Sequence, residues 1–68
     1  MKITLNGTQK SIQENLTVKQ FLEQTDGIEN RQGIAVAIND EVVPRSEWEQ
    51  RKISDGDSIE VIQAVQGG

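Results

Sequence analysis

The residues of this chain best suited to chemistry are its last two, Gly67 and Gly68, which follow Val65 and Gln66. Because glycine has no Cβ atom, they form a slender and pliable tail, and the four residues from Val65 to Gly68 can project about 13 Å from the sheet. The one reactive group of such a tail is the α-carboxylate of Gly68. ATP can convert that carboxylate to an acyl adenylate, from which a sulfur or nitrogen nucleophile displaces AMP.

The chain lacks the side chains needed to catalyse this activation. It contains no cysteine and no histidine, which excludes disulfides, Cys- or His-based nucleophilic catalysis and zinc knuckles. It also has no phosphate-cradling loop. We therefore expect a carrier and not an enzyme, with no bound cofactor or metal, and with ATP consumed by an activating partner enzyme.

Length, charge and hydropathy limit the remaining classes of function. The 68 residues, 34% of them hydrophobic, suffice for one thin core. A net charge of −4 with one tryptophan and one phenylalanine argues against nucleic-acid binding. The longest apolar run, residues 34–38, is far shorter than the about 20 residues of a membrane helix, and residues 1–7 contain no signal-peptide core. We expect a cytoplasmic monomer that binds neither nucleic acid nor membrane.

The spacing of apolar residues predicts the elements that must hold the tail. Polar and apolar residues alternate around Ile3 and Leu5, and the turn residues Asn6-Gly7 follow. This pattern is typical of an antiparallel hairpin. Thr17 and Gln20 have the spacing of a helical capping box. The predicted elements are a hairpin over residues 1–13, a helix over 17–26 that Gly27 terminates, a buried strand over 34–38, strands over 41–43 and 58–65, and one helical turn around Trp48 capped by Ser46 and Glu49.

The order of these elements predicts the fold. One helix among five strands can cover only one face of a sheet. The strand over 58–65 has apolar residues on both sides of its pleat, so we expect it in the sheet interior, parallel to the first strand. This is the α+β architecture of the β-grasp, or ubiquitin-like, fold, with a mixed five-stranded sheet covered on one face by one helix. We expect a domain over residues 1–65 and a flexible tail over 66–68.

The last strand also predicts a surface for a partner. Ile59, Val61 and Val65 share one side of its pleat, and Ile62 and Ala64 share the other. Since the helix covers one side only, Ile62, Ala64 and Val65 are candidate docking residues beside the tail. The sequence leaves open which side faces inward.

Several other residues have both a functional and a structural interpretation. Trp48 is a candidate partner anchor, but burial is favoured in a chain with so few aromatic residues. Arg45 is a candidate contact for an acidic surface, but a solvated turn residue is favoured. Asp55 and Asp57 lack the further ligands of a metal loop and predict a turn. The acidic pairs Asp40-Glu41 and Glu47-Glu49 are expected to be solvated surface.

Three segments together carry a resemblance to a known family. They are residues 34–48 (IAVAINDEVVPRSEW), residues 55–61 (DGDSIEV) and residues 64–68 (AVQGG). At this spacing the chain resembles the sulfur carrier proteins of thiamine biosynthesis, the ThiS family. The resemblance spans almost the whole chain, although the first thirty residues match mainly in pattern.

The resemblance implies the β-grasp fold and a defined chemistry. A ubiquitin-activating-like enzyme adenylates the terminal glycine with ATP, and sulfur from a donor such as a cysteine desulfurase converts it to a thiocarboxylate. Thiazole synthase then takes that sulfur to build the thiazole ring. By this resemblance Gly68 carries the thiocarboxylate, and Gly67 and Gln66 are its flexible neighbours.

Three alternatives share the fold. The small subunit of molybdopterin synthase also carries sulfur on a Gly-Gly end, but it lacks the V-P-R-x-x-W stretch. A ubiquitin-like modifier would be conjugated to lysines. A β-grasp interaction module would show no ATP-dependent change, and its glycines would be a frayed end.

Overall fold

The structure is a computed structural model, and it describes residues 1–25 and 33–63. The predicted helix stop at Asp26 and Gly27 lies outside the described residues, as does the predicted domain boundary at 65–66. The elements within these ranges are β1 (Lys2–Leu5), β2 (Thr8–Ser11), α1 (Val18–Gln24), β3 (Ile34–Ile38), β4 (Glu41–Val43), a 3-10 turn (Arg45–Glu47) and β5 (Ser58–Gln63).

The five strands form one mixed sheet in the order β2-β1-β5-β3-β4. The pairing of β5 is parallel to β1 and antiparallel to β3, so the last strand lies at the centre, as predicted. Each hairpin turns on residues with positive φ, Asn6 and Gly7 in the first and Asn39 and Asp40 in the second. Type I′ turns require that conformation and match the twist of the strands that they join. The predicted mixed sheet and the first hairpin are confirmed, and the predicted strands over 34–38 and 41–43 form the second hairpin.

The N-terminus of α1 is fixed by hydrogen bonds to its own cap and to a later segment. The Thr17 hydroxyl oxygen accepts from Gln20 N, and the Gln20 side chain accepts from Thr17 N, which confirms the capping box. The amides of Val18 and Lys19 donate to backbone carbonyls within residues 48–51. The first-turn N–H groups, which lack partners inside a helix, therefore have acceptors.

The helix ends at Gln24, two residues before the predicted end at 26. Thr25 adopts an extended conformation, with φ −88° and ψ 123°. Its hydroxyl donates to the carbonyl of Phe21 at 2.7 Å, and its N–H donates to the carbonyl of Leu22 at 3.3 Å. The threonine thus satisfies these carbonyls locally where the helix ends. Over the described ranges, no helix combines the length and apolarity that crossing a membrane requires.

The hydrophobic core lies between α1 and one face of the sheet. The strand β3 was predicted to be buried, but only Ile34, Val36 and Ile38 are, whereas Ala35 is exposed and Ala37 half-buried. The helix contributes its buried face, and the segment after the 3-10 turn contributes Trp48 and Ile53. The buried apolar residues are Ile3, Leu5, Leu16, Val18, Phe21, Leu22, Ile34, Val36, Ile38, Val43, Trp48, Ile53 and Ile59.

The segment after β4 makes a helical turn, but not with the predicted caps. The turn spans Arg45–Glu47 and follows Pro44, and no side chain caps it. Proline is suited to the start of a helical turn because its ring fixes φ and it has no N–H to satisfy. Ser46 consequently lies inside the turn and not at its start, so the predicted Ser46–Glu49 capping box is wrong.

Candidate functional site

The predicted site begins where β5 ends. The structure describes this strand as far as Gln63. The tail residues Gln66, Gly67 and Gly68 and the candidate docking residues Ala64 and Val65 lie outside the described residues, so their roles stay predictions. What the structure supplies is the base from which the tail extends.

That base is paired with β3 on one side from Ile59 to Gln63. The pairing with β3 runs from Ile38↔Ile59 to Ile34↔Gln63. The pairing with β1 covers only Thr4↔Ser58 and Leu5↔Ile59. Among the described strands, the second half of β5 therefore has a strand partner on the β3 side alone.

The side chain of Asn6 occupies the other side of that second half. Its Oδ1 accepts from Val61 N at 2.9 Å, and its Nδ2 donates to Val61 O at 3.3 Å. Its backbone N–H donates to Ile59 O at 2.9 Å. The sequence assigned Asn6 to the hairpin turn alone, so this second role was missed.

One face of the sheet is covered by no element within residues 1–25 and 33–63, and this uncovered face is partly apolar. Ile59 and Val61 point toward α1, and Ile62 points the other way with 59% of its surface exposed. The register places Ala35 beside Ile62 and Ala37 beside Val42, which is 71% exposed. This settles which side of the last strand faces inward. We call these four residues the open-face patch: Ala35, Val42 and Ile62 are exposed, and Ala37 is half-buried.

The Asp-Gly-Asp segment is a structural turn, as predicted. Asp57 is buried, and its carboxylate accepts hydrogen bonds from Asn39 Nδ2 at 3.1 Å and from Ser54 N at 2.7 Å. The carboxylate of Asp55 accepts from Lys2 N at 2.8 Å. Both carboxylates thus accept hydrogen bonds from protein N–H groups. These bonds tie the segment before β5 to Lys2 of β1, to Asn39 and to Ser54. The acidic pairs Asp40-Glu41 and Glu47-Glu49 are exposed, as expected.

Trp48 is part of the core, which confirms the predicted burial. It is 6% exposed, and its indole Nε1 donates to the carbonyl of Val43 at 2.9 Å. Arg45 is exposed, and its guanidinium carbon lies 5.2 Å from the centre of the indole ring. Nearby, Lys19 forms a surface ion pair with Glu49 at 3.0 Å. The Lys19–Glu49 ion pair joins α1 to the segment after the turn, and the contacts of Trp48 hold the turn on the core.

The fold and the site together define a class of protein. The chain is a β-grasp, or ubiquitin-like, domain, and Gly68 is the fifth residue after Gln63, the last residue of its central strand as described. A family model described as the ThiS family matches residues 3–68. The chain belongs to the ThiS family, the sulfur carrier proteins of thiamine biosynthesis, and this confirms both the resemblance and the function predicted from the sequence.

Relatives in three bacteria match nearly the whole chain. The sulfur carrier protein ThiS of Escherichia coli is 38% identical over 68 residues, which cover both chains fully. The sulfur carrier protein ThiS of Thermus thermophilus is 38% identical over 66 residues, or 97% of this chain and 98% of that one. A protein named thiazole synthase, from Paramagnetospirillum magneticum, is 34% identical over all of this chain but over only 20% of its own length.

Solved structures agree with this assignment. The crystal structure of the thiamine biosynthesis protein ThiS of Geobacter metallireducens matches with a TM-score of 0.86 and 27% identity, and the match covers both chains fully. A solution structure of a thiamine biosynthesis protein of the same organism matches with a TM-score of 0.80 and 27% identity, covering all of this chain and 88% of that one. The β-grasp fold predicted from the order of elements is thereby confirmed.

Proposed function

We propose that this chain carries sulfur as a thiocarboxylate on Gly68 and catalyses no step itself. The observation that supports this most is the position of β5. The strand is central in the sheet, and only five residues separate its last residue, Gln63, from the carboxylate of Gly68. A rigid base with a short, glycine-ended extension suits a group that other proteins must reach, activate and unload.

The proposed chemistry proceeds in three steps: adenylation, sulfur transfer and sulfur donation. A carboxylate oxygen of Gly68 attacks the α-phosphorus of ATP, which gives an acyl adenylate and releases pyrophosphate. The terminal sulfur of a persulfide on a partner protein then attacks the carbonyl carbon, a C–S bond forms, and AMP leaves. A partner thiol attacks the S–S bond of this acyl persulfide, which releases the thiocarboxylate and leaves a disulfide between the partner thiols. In the last step the thiocarboxylate sulfur bonds to the thiazole precursor, and water cleaves the acyl C–S bond and restores the carboxylate of Gly68. With neither cysteine nor histidine in the sequence, the nucleophile and the proton-transfer groups come from partner proteins.

Three partners follow from these steps. An adenylating enzyme related to ubiquitin-activating enzymes binds ATP, and a sulfur donor such as a cysteine desulfurase supplies the sulfur. Thiazole synthase is the acceptor, and the protein of that name in P. magneticum supports this because a segment of it resembles this entire chain. All three use soluble metabolites, so we place the reaction in the cytoplasm.

We further propose that the open-face patch binds the adenylating enzyme. Ile62 lies on β5 next to Gln63, the last described residue before the tail, and its side chain is exposed on the uncovered face of the sheet. A partner that holds Gly68 in its active site must also lie close to the end of β5. Ala64 and Val65, which precede the tail, stay candidate docking residues in this proposal.

Replacing Ile62 with Glu is expected to weaken binding to the adenylating enzyme about tenfold or more, because a carboxylate would be desolvated in an apolar contact. The fold should be unaffected, since the wild-type side chain is already exposed. Isothermal titration calorimetry measures the Kd. The matched control is Ser58→Glu, which adds the same charge at the opposite end of the same strand. If both variants bind like the wild type, the open-face patch is not the interface.

Intact mass spectrometry tests the proposed function. The chain is incubated with ATP, its adenylating enzyme and a sulfur donor, and replacement of one oxygen by one sulfur at Gly68 is expected. Omitting ATP should prevent the change. Isopeptide adducts on lysines would instead indicate a protein modifier, and no ATP-dependent change would indicate an interaction module. A thiocarboxylate that molybdopterin synthase accepts and thiazole synthase rejects would indicate the other carrier.

A further inference from the structure

The hydrogen bonds between β1 and β5 continue beyond the end of β1. In a parallel pair, alternate residues of one strand donate to and accept from the next strand at regular intervals. Thr4 N donates to Asp57 O at 2.9 Å, and Asn6 N donates to Ile59 O at 2.9 Å. The next bond of this series would run from Val61 N to the backbone carbonyl of Asn6.

The chain turns away at Asn6, and the side chain supplies the missing bonds. With φ of 49°, Asn6 begins the hairpin turn, so its main chain no longer follows β5. Its Oδ1 accepts from Val61 N in place of the backbone carbonyl, and its Nδ2 donates to Val61 O. A carboxamide has the same donor and acceptor as a peptide group, which makes asparagine a suitable substitute.

From this geometry we propose that Asn6 is a positioning residue for the sulfur-carrying tail, a proposal that rests on the proposed function of Gly68. Asn6 holds β5 in the sheet at Val61, two residues before the last described residue, Gln63. Without this side chain, the end of β5 is paired only with β3. Its residues would then separate from the sheet more often and would need to be ordered again in each productive complex.

The expected kinetic effect is on turnover and not on affinity. The open-face patch lies on β3, β4 and β5 and does not include Asn6, so the body of the domain still docks. A complex in which the tail leaves the sheet in the wrong direction is bound but unreactive. Loss of the Asn6 side chain should therefore lower kcat for adenylation and leave KM for the carrier nearly unchanged.

Asn39 provides a matched control within the same fold. It also begins a type I′ turn, with φ of 52°, and it also bonds to β5 through its carboxamide. Its Oδ1 accepts from Ser58 N at 3.0 Å, and its Nδ2 donates to Asp57 Oδ1 at 3.1 Å. These bonds lie at the start of β5, so they stabilise the strand at the end remote from the tail.

The test compares Asn6→Gly with Asn39→Gly, because glycine keeps the positive φ and removes only the side-chain bonds. Steady-state adenylation is followed by pyrophosphate release at a temperature where both variants are folded. We expect Asn6→Gly to lower kcat about fivefold, with KM changed by less than about twofold, and Asn39→Gly to change neither. Asn6→Asp, which keeps the acceptor for Val61 N, should fall between Asn6→Gly and the wild type.

Hydrogen exchange provides a readout that does not depend on activity. Exchange of the Val61 amide should accelerate in Asn6→Gly and stay unchanged in Asn39→Gly. Equal losses of kcat in the two glycine variants would overturn the proposal, because Asn6 would then act only through stability. Faster Val61 exchange with unchanged kcat would also overturn it and leave the proposed function intact. A wild-type chain that is never adenylated would contradict the proposed function, and the positioning role would fall with it.

Discussion

Deleting Gly68 is expected to abolish thiocarboxylate formation, with a rate at least about 100-fold below that of the full chain. The shortened chain still ends in a glycine carboxylate, that of Gly67, so its intrinsic reactivity is unchanged. Its reach is shorter by about 3.3 Å. Since a displacement of about 1 Å at a reacting centre can cost a factor of about 100, the remaining carboxylate should not reach the α-phosphate of ATP productively.

The control for this deletion keeps the length of the tail. Gln66→Ala changes a side chain but no backbone distance, and it should be converted at close to the wild-type rate. Intact mass spectrometry of timed samples follows all three proteins. If the shortened chain acquires sulfur as fast as the full one, the assignment of the reaction to Gly68 is wrong.

Replacing Leu22 with Ala is expected to lower the free energy of unfolding by about 3 kcal/mol. Leu22 is 1% exposed in the middle of α1 and belongs to the cluster that joins the helix to the sheet. The truncation removes apolar contact and leaves a cavity that a small domain closes only in part. With total stabilities of about 5–15 kcal/mol for natural domains, the midpoint of a urea titration should fall sharply.

Val42→Ala is the matched control for the core variant. It also shortens an aliphatic side chain, but at a position that is 71% exposed on the open-face patch. Its effect on the free energy of unfolding should be less than about 0.5 kcal/mol. Comparable losses in the two variants would show that Val42 is buried in solution, contrary to the uncovered sheet face described above.

Much of the fold was predictable because its signals are local. Asn6-Gly7 and Asn39-Asp40 supply the positive φ values of two hairpins, and Thr17 with Gln20 caps the helix. The burial of β3 and the caps of the 3-10 turn were predicted wrongly because both depend on tertiary packing, which a local sequence pattern does not contain. A run of five apolar residues does not reveal that Ala35 and Ala37 face outward.

The candidate site also has one part that local sequence predicts and another that depends on tertiary contacts. Gly68 could be identified from the sequence because its own carboxylate is the reacting group, which requires no other side chain of this chain. The role of Asn6 could not, since it depends on a residue 55 positions away in the chain. Nor could the buried position of Ile53, which belongs to no strand or helix and has no periodic pattern around it.

The central position of β5 has a consequence for how the protein folds. The β1–β2 and β3–β4 hairpins are not neighbours in the sheet, and β5 alone lies between them. An isolated two-stranded hairpin is only marginally stable in water. Since β5 follows all the other described strands in the chain, it is synthesised after the two hairpins that it joins. We therefore expect native structure to appear in one late, cooperative event, when the segment that bears the tail enters the sheet.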